Sequence, residues 1–182
     1  MSVTNVLDYV TIATTGNAAD FGDLTVARER VCAGKHTTKG MWFGGGGYDD
    51  VIDTINVASL GNATDFGDLS VQKMSCGCAS DASSRMVVGG GYVGGDPGTI
   101  DVLEYINIDS AGNATDFGDM TQAKYHPTGT SNGTRGIMGG GYGSDINQSD
   151  VIDYFLISSP ANAVDFGDLT DGNWRLGADS GS

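Results

Sequence analysis

The sequence predicts an all-β fold: a β-propeller of about four blades, with three complete repeats and a split, incomplete fourth. The first observation is a nine-residue motif, Gly-Asn-Ala-Thr-Asp-Phe-Gly-Asp-Leu at 61–69, which recurs with small changes from Gly16, Gly112 and Ala161. The copies are spaced 45, 51 and 49 residues apart, which fits a four-stranded blade of about 40 to 50 residues. The second is glycine, at 30 of 182 residues, which interrupts every window that could form an amphipathic helix.

Four strands, named a to d, account for each repeat. Strand a follows the motif and carries a basic residue, as in 25–33. Strand b is an apolar run that enters a row of glycines, as in 41–48, where a missing Cβ permits close packing or a positive φ. Strand c is rich in Val, Ile and Tyr, as in 51–57, and strand d contains Asp-Phe-Gly-Asp.

These strands divide a single domain, 1–182, into segments. Strands c and d occupy 5–24, complete repeats occupy 25–69, 70–120 and 121–169, and a terminal strand a occupies 170–182. Propellers often build their closing blade from both chain ends, yet no fourth Gly-Gly-Gly-Tyr run is present. The sequence leaves three arrangements open: a closing blade with a gap or another filler, a strand supplied by a second chain, or units that do not close into a ring.

The repeated Asp-Phe-Gly-Asp residues are predicted to be structural. Asp-Phe-Gly is also the letter pattern of the kinase magnesium loop, but a kinase has it once, beside other fixed motifs. We expect the phenylalanines to pack between blades, the glycines to allow a turn and the aspartates to brace backbone amides. The residues concerned are Asp20, Phe21, Asp23, Asp65, Phe66, Asp68, Asp116, Phe117, Asp119, Asp165, Phe166 and Asp168.

An acid on strand c and a base on strand a also recur. They predict a ladder of salt bridges within or between blades, and the alternative is a ring of binding charges around a channel. The ladder is favoured because scaffold residues repeat between blades whereas binding residues vary. The acids are Asp8, Asp53, Glu104 and Asp153, the bases are Arg28, Lys73 and Lys124, and Asn173 departs from the pattern.

The loops between strands b and c differ most between repeats. Variable loops on a rigid scaffold commonly carry recognition, so these loops form the predicted binding face, although the tyrosines could equally pack between blades. The loop acids are interpreted as solvated rather than as calcium ligands, because their spacing does not match the twelve-residue calcium loop. The face comprises Trp42, Tyr48, Asp49, Asp50, Tyr92, Asp96, Tyr142 and Asp145.

Composition excludes several classes of function. The net charge of −14 and the pI of about 4.1 argue against nucleic acid as a partner. No apolar stretch approaches a membrane span, and the first residues lack a signal peptide, so we expect cytoplasmic synthesis without membrane insertion. Cys32, Cys76 and Cys78 are interpreted as small buried hydrophobes rather than zinc ligands. No catalytic residue, cofactor or metal is expected.

The repeat resembles the kelch repeat of β-propellers. As in that repeat, Gly-Gly follows a hydrophobic strand and a tyrosine comes soon after. The kelch repeat usually has Trp at the position of Phe21, Phe66, Phe117 and Phe166. Its usual Arg lies near the position of Arg28, Lys73 and Lys124. The longer repeated segments are similar to kelch-like repeats in virion proteins of tailed phages. These segments are Val-Ile-Asp-Tyr, Gly-Asn-Ala-Thr-Asp-Phe-Gly-Asp-Leu-Thr-Val-Ala-Arg and Gly-Gly-Gly-Tyr.

This resemblance implies a non-enzymatic structural virion protein, a tail, fibre or capsid-surface component located in the virion. Its expected partners are other virion proteins or copies of itself, with host-surface glycan as a further ligand. A cellular kelch-like module that binds protein or carbohydrate is the alternative. A small propeller enzyme is the weakest reading, because no acid–base or metal set stands out from the repeat.

Overall fold

The computed structural model describes residues 3–47, 49–81, 83–143 and 147–180. They form strands, turns and loops, so the prediction of an all-β protein is confirmed. Among these residues there is no helix that could span a bilayer.

The strands form separate antiparallel sheets that follow the repeats. A half-unit contains β1 (Val6–Tyr9) and β2 (Ala19–Asp23). Unit 1 is a four-stranded sheet of β3 (Cys32–Lys35), β4 (Lys39–Gly45), β5 (Asp49–Asn56) and β6 (Thr64–Asp68). Unit 2 repeats it with β7 (Gly77–Ser80), β8 (Arg85–Gly89), β9 (Val102–Asn107) and β10 (Thr115–Asp119).

Unit 3 has the same strand order with one addition. Its sheet contains β11 (Thr128–Ser131), β12 (Arg135–Gly139), β15 (Val151–Leu156) and β16 (Val164–Asp168). A small hairpin, β13 (Tyr142–Gly143) and β14 (Asn147–Gln148), is inserted between strands b and c. Each complete unit thus places strands a, b, c and d side by side in chain order.

Strand d carries a β-bulge at the same place in all four copies. In unit 1, Ile52 pairs with Gly67 and Asp53 pairs with Asp65, which leaves Phe66 as the extra residue. The register shifts identically at Phe21, Phe117 and Phe166. A bulge bends the strand and redirects a side chain, so the Asp-Phe-Gly pattern encodes a local backbone shape.

The predicted position of strand a is wrong. The segment that carries Arg28 lies in a linker, 24–31, and the strand begins only at Cys32. The equivalent linkers are 69–76 and 120–127. Their dihedrals explain the shift, because Arg30, Ser75 and His126, each two residues after the base, have φ of 56°, 59° and 54°. Left-handed residues cannot continue a β-ladder.

The predicted terminal strand over 170–182 is also not formed in the described residues, which reach 180. Residues 169–176 instead repeat the linker conformation, and Arg175 has φ of 60° at the position that Arg30 occupies. The Gly141 amide donates to the Asn173 carbonyl at 2.8 Å, and the Asn173 amide donates to Ser149 at 3.1 Å. This segment is therefore a fourth linker.

The hydrophobic core lies between neighbouring sheets. One cluster joins Phe43 and Phe66 of unit 1 to Val88, Ile106 and Ile108 of unit 2. A second joins unit 2 residues such as Leu103 and Phe117 to Met138, Phe155 and Ile157 of unit 3. A single sheet could not bury these side chains alone, so the units are stabilised by stacking, as in other repeat folds.

Candidate functional site

The repeated charges form three fully buried ion pairs. Arg28 contacts Asp53 at 2.7 Å, Lys73 contacts Glu104 at 2.5 Å and Lys124 contacts Asp153 at 2.9 Å, and all six side chains are 0% exposed. Each base belongs to a linker, and each acid belongs to strand c of the sheet that follows. The ladder predicted from the sequence is therefore present, and it holds the three linkers that carry Arg28, Lys73 and Lys124 against the sheets that follow them.

The acids also accept hydrogen bonds from the start of the linker. The Thr25 hydroxyl donates to Asp53 at 2.6 Å, the Ser70 amide donates to Glu104 at 2.7 Å, and Thr121 donates to Asp153 through both its amide and its hydroxyl. A buried carboxylate without such partners would be costly. Because these charges are buried and ion-paired inside the protein, they do not present a ring of free binding charges.

The paired glycines after strand b fit between two linkers. Gly90 has φ of 66°, and a Cβ there would lie 2.5 Å from the Lys124 carbonyl oxygen of the following linker. Gly91 has φ of 125°, and its Cβ would lie 3.2 Å from the side chain of Lys73 in the preceding linker. Any larger residue would separate the linkers, and this explains the Gly-Gly of the repeat.

The nine-residue motif holds one unit to the next. The Gly112 amide of unit 2 donates to the Phe66 carbonyl of unit 1 at 2.8 Å, and the Ala114 amide donates to the Asp68 carbonyl at 2.8 Å. In return, the Asp68 amide donates to the Asn113 side-chain oxygen at 3.1 Å. The same Ala-to-Asp and Asp-to-Asn bonds join the half-unit to unit 1 and unit 2 to unit 3.

Thus Gly-Asn-Ala of one copy contacts Phe-Gly-Asp of the preceding copy. The glycine of Asp-Phe-Gly is required by this contact: a Cβ at Gly118 would lie 2.6 Å from the Ala161 carbonyl oxygen of unit 3. One motif therefore carries both halves of the junction.

A basic residue at the start of strand b completes the junctions between units 1 and 2 and between units 2 and 3. Lys39 donates to the Ile108 carbonyl at 2.5 Å, and Arg85 donates to the Ile157 carbonyl at 2.9 Å. Both isoleucines lie just after strand c of the following unit and are 0% exposed. Sequence reasoning missed these residues, although their equivalent positions in the repeats give a usable signal.

The structure separates the roles of the repeated aspartates. The first accepts a hydrogen bond from the glycine two residues later, at 3.0 Å for Asp65 and 2.9 Å for Asp165. The second, as at Asp68, acts through its backbone amide and carbonyl. Phe117 lies between units, with its ring centroid 5.4 Å from that of Phe155 and 6.0 Å from that of Tyr105.

The linkers are also bonded to one another in series. The Ser75 amide donates to the Arg30 carbonyl at 2.9 Å, and the His126 amide donates to the Ser75 carbonyl at 2.6 Å. Burial together with the positive charges of Arg175 and Arg30 lowers the pKa of His126. These left-handed residues are not glycines, so local sequence gave no sign of them.

Part of the predicted binding face assembles into an aromatic cluster. Tyr92 and Tyr142 both contact Tyr125, with ring centroids 5.6 and 5.5 Å away. Trp174 contacts Tyr125, His126 and Tyr142 at 5.7 to 6.3 Å. Sequence reasoning missed Tyr125, His126 and Trp174, although Tyr125 and Trp174 both directly follow the base position of their linkers.

The remaining residues of that face lie apart. Trp42 is half-buried within β4, where it pairs with Ala33 and Asp53. Asp49 and Asp50 begin β5, and their carbonyls accept the Lys73 and Leu69 amides. Asp96 is exposed in a turn after Tyr92. Tyr48 and Asp145 lie outside the described residues.

The three cysteines meet at the contact between units 1 and 2. Cys32 and Cys76 are buried and Cys78 is half-buried, all with free thiols. A hydrogen bond with Cys32, together with burial, raises the pKa of Cys76 well above its usual range. A protonated, buried thiol behaves as a small apolar side chain.

Comparisons with known proteins add no family assignment. Neither a scan of protein-family models nor a search of curated proteins finds a match to this chain.

Proposed function

We propose that the protein is a non-enzymatic structural component of a virion, of the tail, fibre or capsid-surface kind, which acts through protein–protein assembly. In this proposal the units are arranged as a kelch-like propeller. The order of strands in each sheet and the packing of one sheet against the next support that arrangement.

The observation that carries the proposal is how the repeated polar residues are used. The buried ion pairs, the asparagines of the motif and the bases of strand b all join one unit to the next. Because these repeated polar residues hold the units together, the fold suits a mechanical or assembly role. The resemblance of the repeats to those of tailed-phage virion proteins supports the proposal that this role is in a virion.

Purified particles provide the test. Immunogold labelling with antibodies against this chain is expected to decorate the tail or the capsid surface, and the chain is expected to sediment with intact particles. A chain found only in the soluble fraction of infected cells would contradict the virion role and favour a cellular binding module.

A second candidate, contact with host glycans, is favoured by the aromatic cluster. Tyr92, Tyr125, Tyr142 and Trp174 are all half-buried, so their rings are accessible in part. Sugar rings commonly stack on such side chains in sites that combine apolar faces with a few polar groups. Binding to a glycan array that is lost in Trp174→Ala but kept in Trp42→Ala would support this role.

A further inference from the structure

The junction that joins the units is left open at unit 3. Phe66 and Phe117 are 4% and 2% exposed, whereas Phe166 is 57% exposed. A Cβ at Gly167 would meet nothing within 4 Å, although the equivalent Gly118 is tightly covered. The base of strand b is also exposed here, at Arg135.

The half-unit displays the complementary surface. Counting from the start of strand c, Ile12 corresponds to Ile108 and Ile157. Those two are 0% exposed, whereas Ile12 is 98% exposed. Ala18 of the loop 16–18 is exposed, whereas the equivalent Ala63 and Ala163 are buried at internal junctions, at 8% and 9%. Val6, Tyr9 and Val10 of the same half-unit are exposed as well, and several exposed apolar side chains on one short hairpin are typical of an interaction surface.

We infer that these two surfaces bind each other between copies of the chain, so that unit 3 of one copy receives the half-unit of a second copy. The inference deepens the proposed function, because it names a second copy as an assembly partner. The contacts between copies are inferred from the junctions within one chain, because the same types of residue meet at those junctions.

The pattern specifies the new contacts. Ile12 of one copy packs against Phe166 of the other, as Ile108 shares a cluster with Phe66. Arg135 donates to the Ile12 carbonyl, as Arg85 donates to the Ile157 carbonyl. The Ala18 amide donates to the Asp168 carbonyl, and the Asp168 amide donates to the Asn17 side chain.

One internal contact is not reproduced. Asn173 occupies the position of Lys73 and Lys124, so Asp8 of the second copy would meet Thr170 without a cation. The junction between copies is therefore weaker than those within a chain. Asn173→Lys restores the cation and is expected to tighten the association on the order of tenfold.

The contact is heterologous, because two different surfaces meet. Such contacts form open chains of copies or close into rings of two or more copies. Sedimentation velocity and native mass spectrometry of the purified chain, at rising concentration, are expected to show dimers followed by longer species.

Two variants each remove one surface. Phe166→Asp changes unit 3 and Ile12→Asp changes the half-unit, and both side chains are exposed in the single chain, so folding is retained. Each change places a charge in an apolar contact, and each is expected to raise the dissociation constant at least about tenfold. Leu60→Asp, at a residue 63% exposed outside both surfaces, is the charge-matched control.

Mixing the variants gives the sharpest result. Phe166→Asp keeps the half-unit surface and Ile12→Asp keeps the unit 3 surface, so the mixture restores one junction. We expect dimers that contain one copy of each variant, and nothing longer.

Several results would overturn the inference. They are a wild-type chain that stays monomeric at every concentration, a mixture that does not pair, or a Leu60→Asp control that weakens association equally. A lower melting temperature of monomeric Ile12→Asp would also overturn it, because the 98% exposed Ile12 side chain would then meet another surface within one chain. Labelling of particles tests the virion role separately, so either proposal can fail alone.

Discussion

Strand d of unit 2 and strand d of unit 3 have the same Asp-Phe-Gly-Asp sequence and the same bulge, yet their surroundings differ. Phe117 is 2% exposed and contacts Phe155 of the next sheet, whereas Phe166 is 57% exposed. Both rings also lie against a tyrosine of their own strand c, at 6.0 and 5.9 Å. The difference shows that the neighbouring unit, and not the motif's own sheet, buries the phenylalanine.

The largest effect is expected from removing that buried ring. Phe117→Ala should lower the free energy of unfolding by about 3–5 kcal/mol, because it leaves a cavity between units 2 and 3. Phe166→Ala should cost less than about 1 kcal/mol, since its ring is mostly exposed. Urea denaturation at a concentration that keeps the chain monomeric measures both, and equal losses would refute the comparison.

The buried ion pairs should come next. Arg28→Ala leaves the 0% exposed Asp53 carboxylate without its cation, with an expected cost of about 3 kcal/mol. The control is Arg30→Ala, two residues away, whose pair with Glu29 spans 3.7 Å and is about half exposed. It should cost less than about 1 kcal/mol. An unchanged melting temperature in Arg28→Ala would count against the ladder.

Alanine substitutions of the glycines in strand d of units 2 and 3 distinguish the cost of backbone strain from the cost of a steric clash. Gly118 and Gly167 have φ of 139° and 138°, so alanine meets the same strain at both. Only at Gly118 would its Cβ lie 2.6 Å from the Ala161 carbonyl oxygen. We expect Gly118→Ala to cost about 1–3 kcal/mol more than Gly167→Ala, measured by urea denaturation. Similar losses in the free energy of unfolding would mean that unit 3 does not contact Gly118 closely.

The smallest effect concerns the linker residue His126. Its pKa is lowered in the folded protein by burial, Arg175 and Arg30, so the folded state favours the neutral imidazole. The stability that depends on the neutral form is present above a pH of about 6.5 and is lost as the pH falls below it.

His126→Asn removes the titration and keeps a residue type that tolerates the left-handed conformation. Melting temperatures from pH 8 to pH 5 should therefore fall less steeply in the variant than in the wild type. Parallel curves would show that His126 titrates alike in the folded and unfolded chain.

The sequence was most informative where the repeat is regular. Strand order within a unit and the partners of the ion pairs follow from residues at the same position in successive copies, whereas the bulge at Asp-Phe-Gly was seen only in the structure. The position of strand a could not be predicted, because Arg30, Ser75 and His126 adopt a left-handed conformation without being glycine. The aromatic cluster joins linkers of different units, and a pattern within one unit does not show that contact.

The sequence by itself determined that the protein is all-β, where each sheet lies along the chain and which residues repeat for structural reasons. It could do so because alternating apolar residues and glycine act through local backbone geometry. Only the tertiary structure decided which copies of the motif are covered. Burial depends on whether a neighbouring unit is present, so four nearly identical motifs have different surroundings.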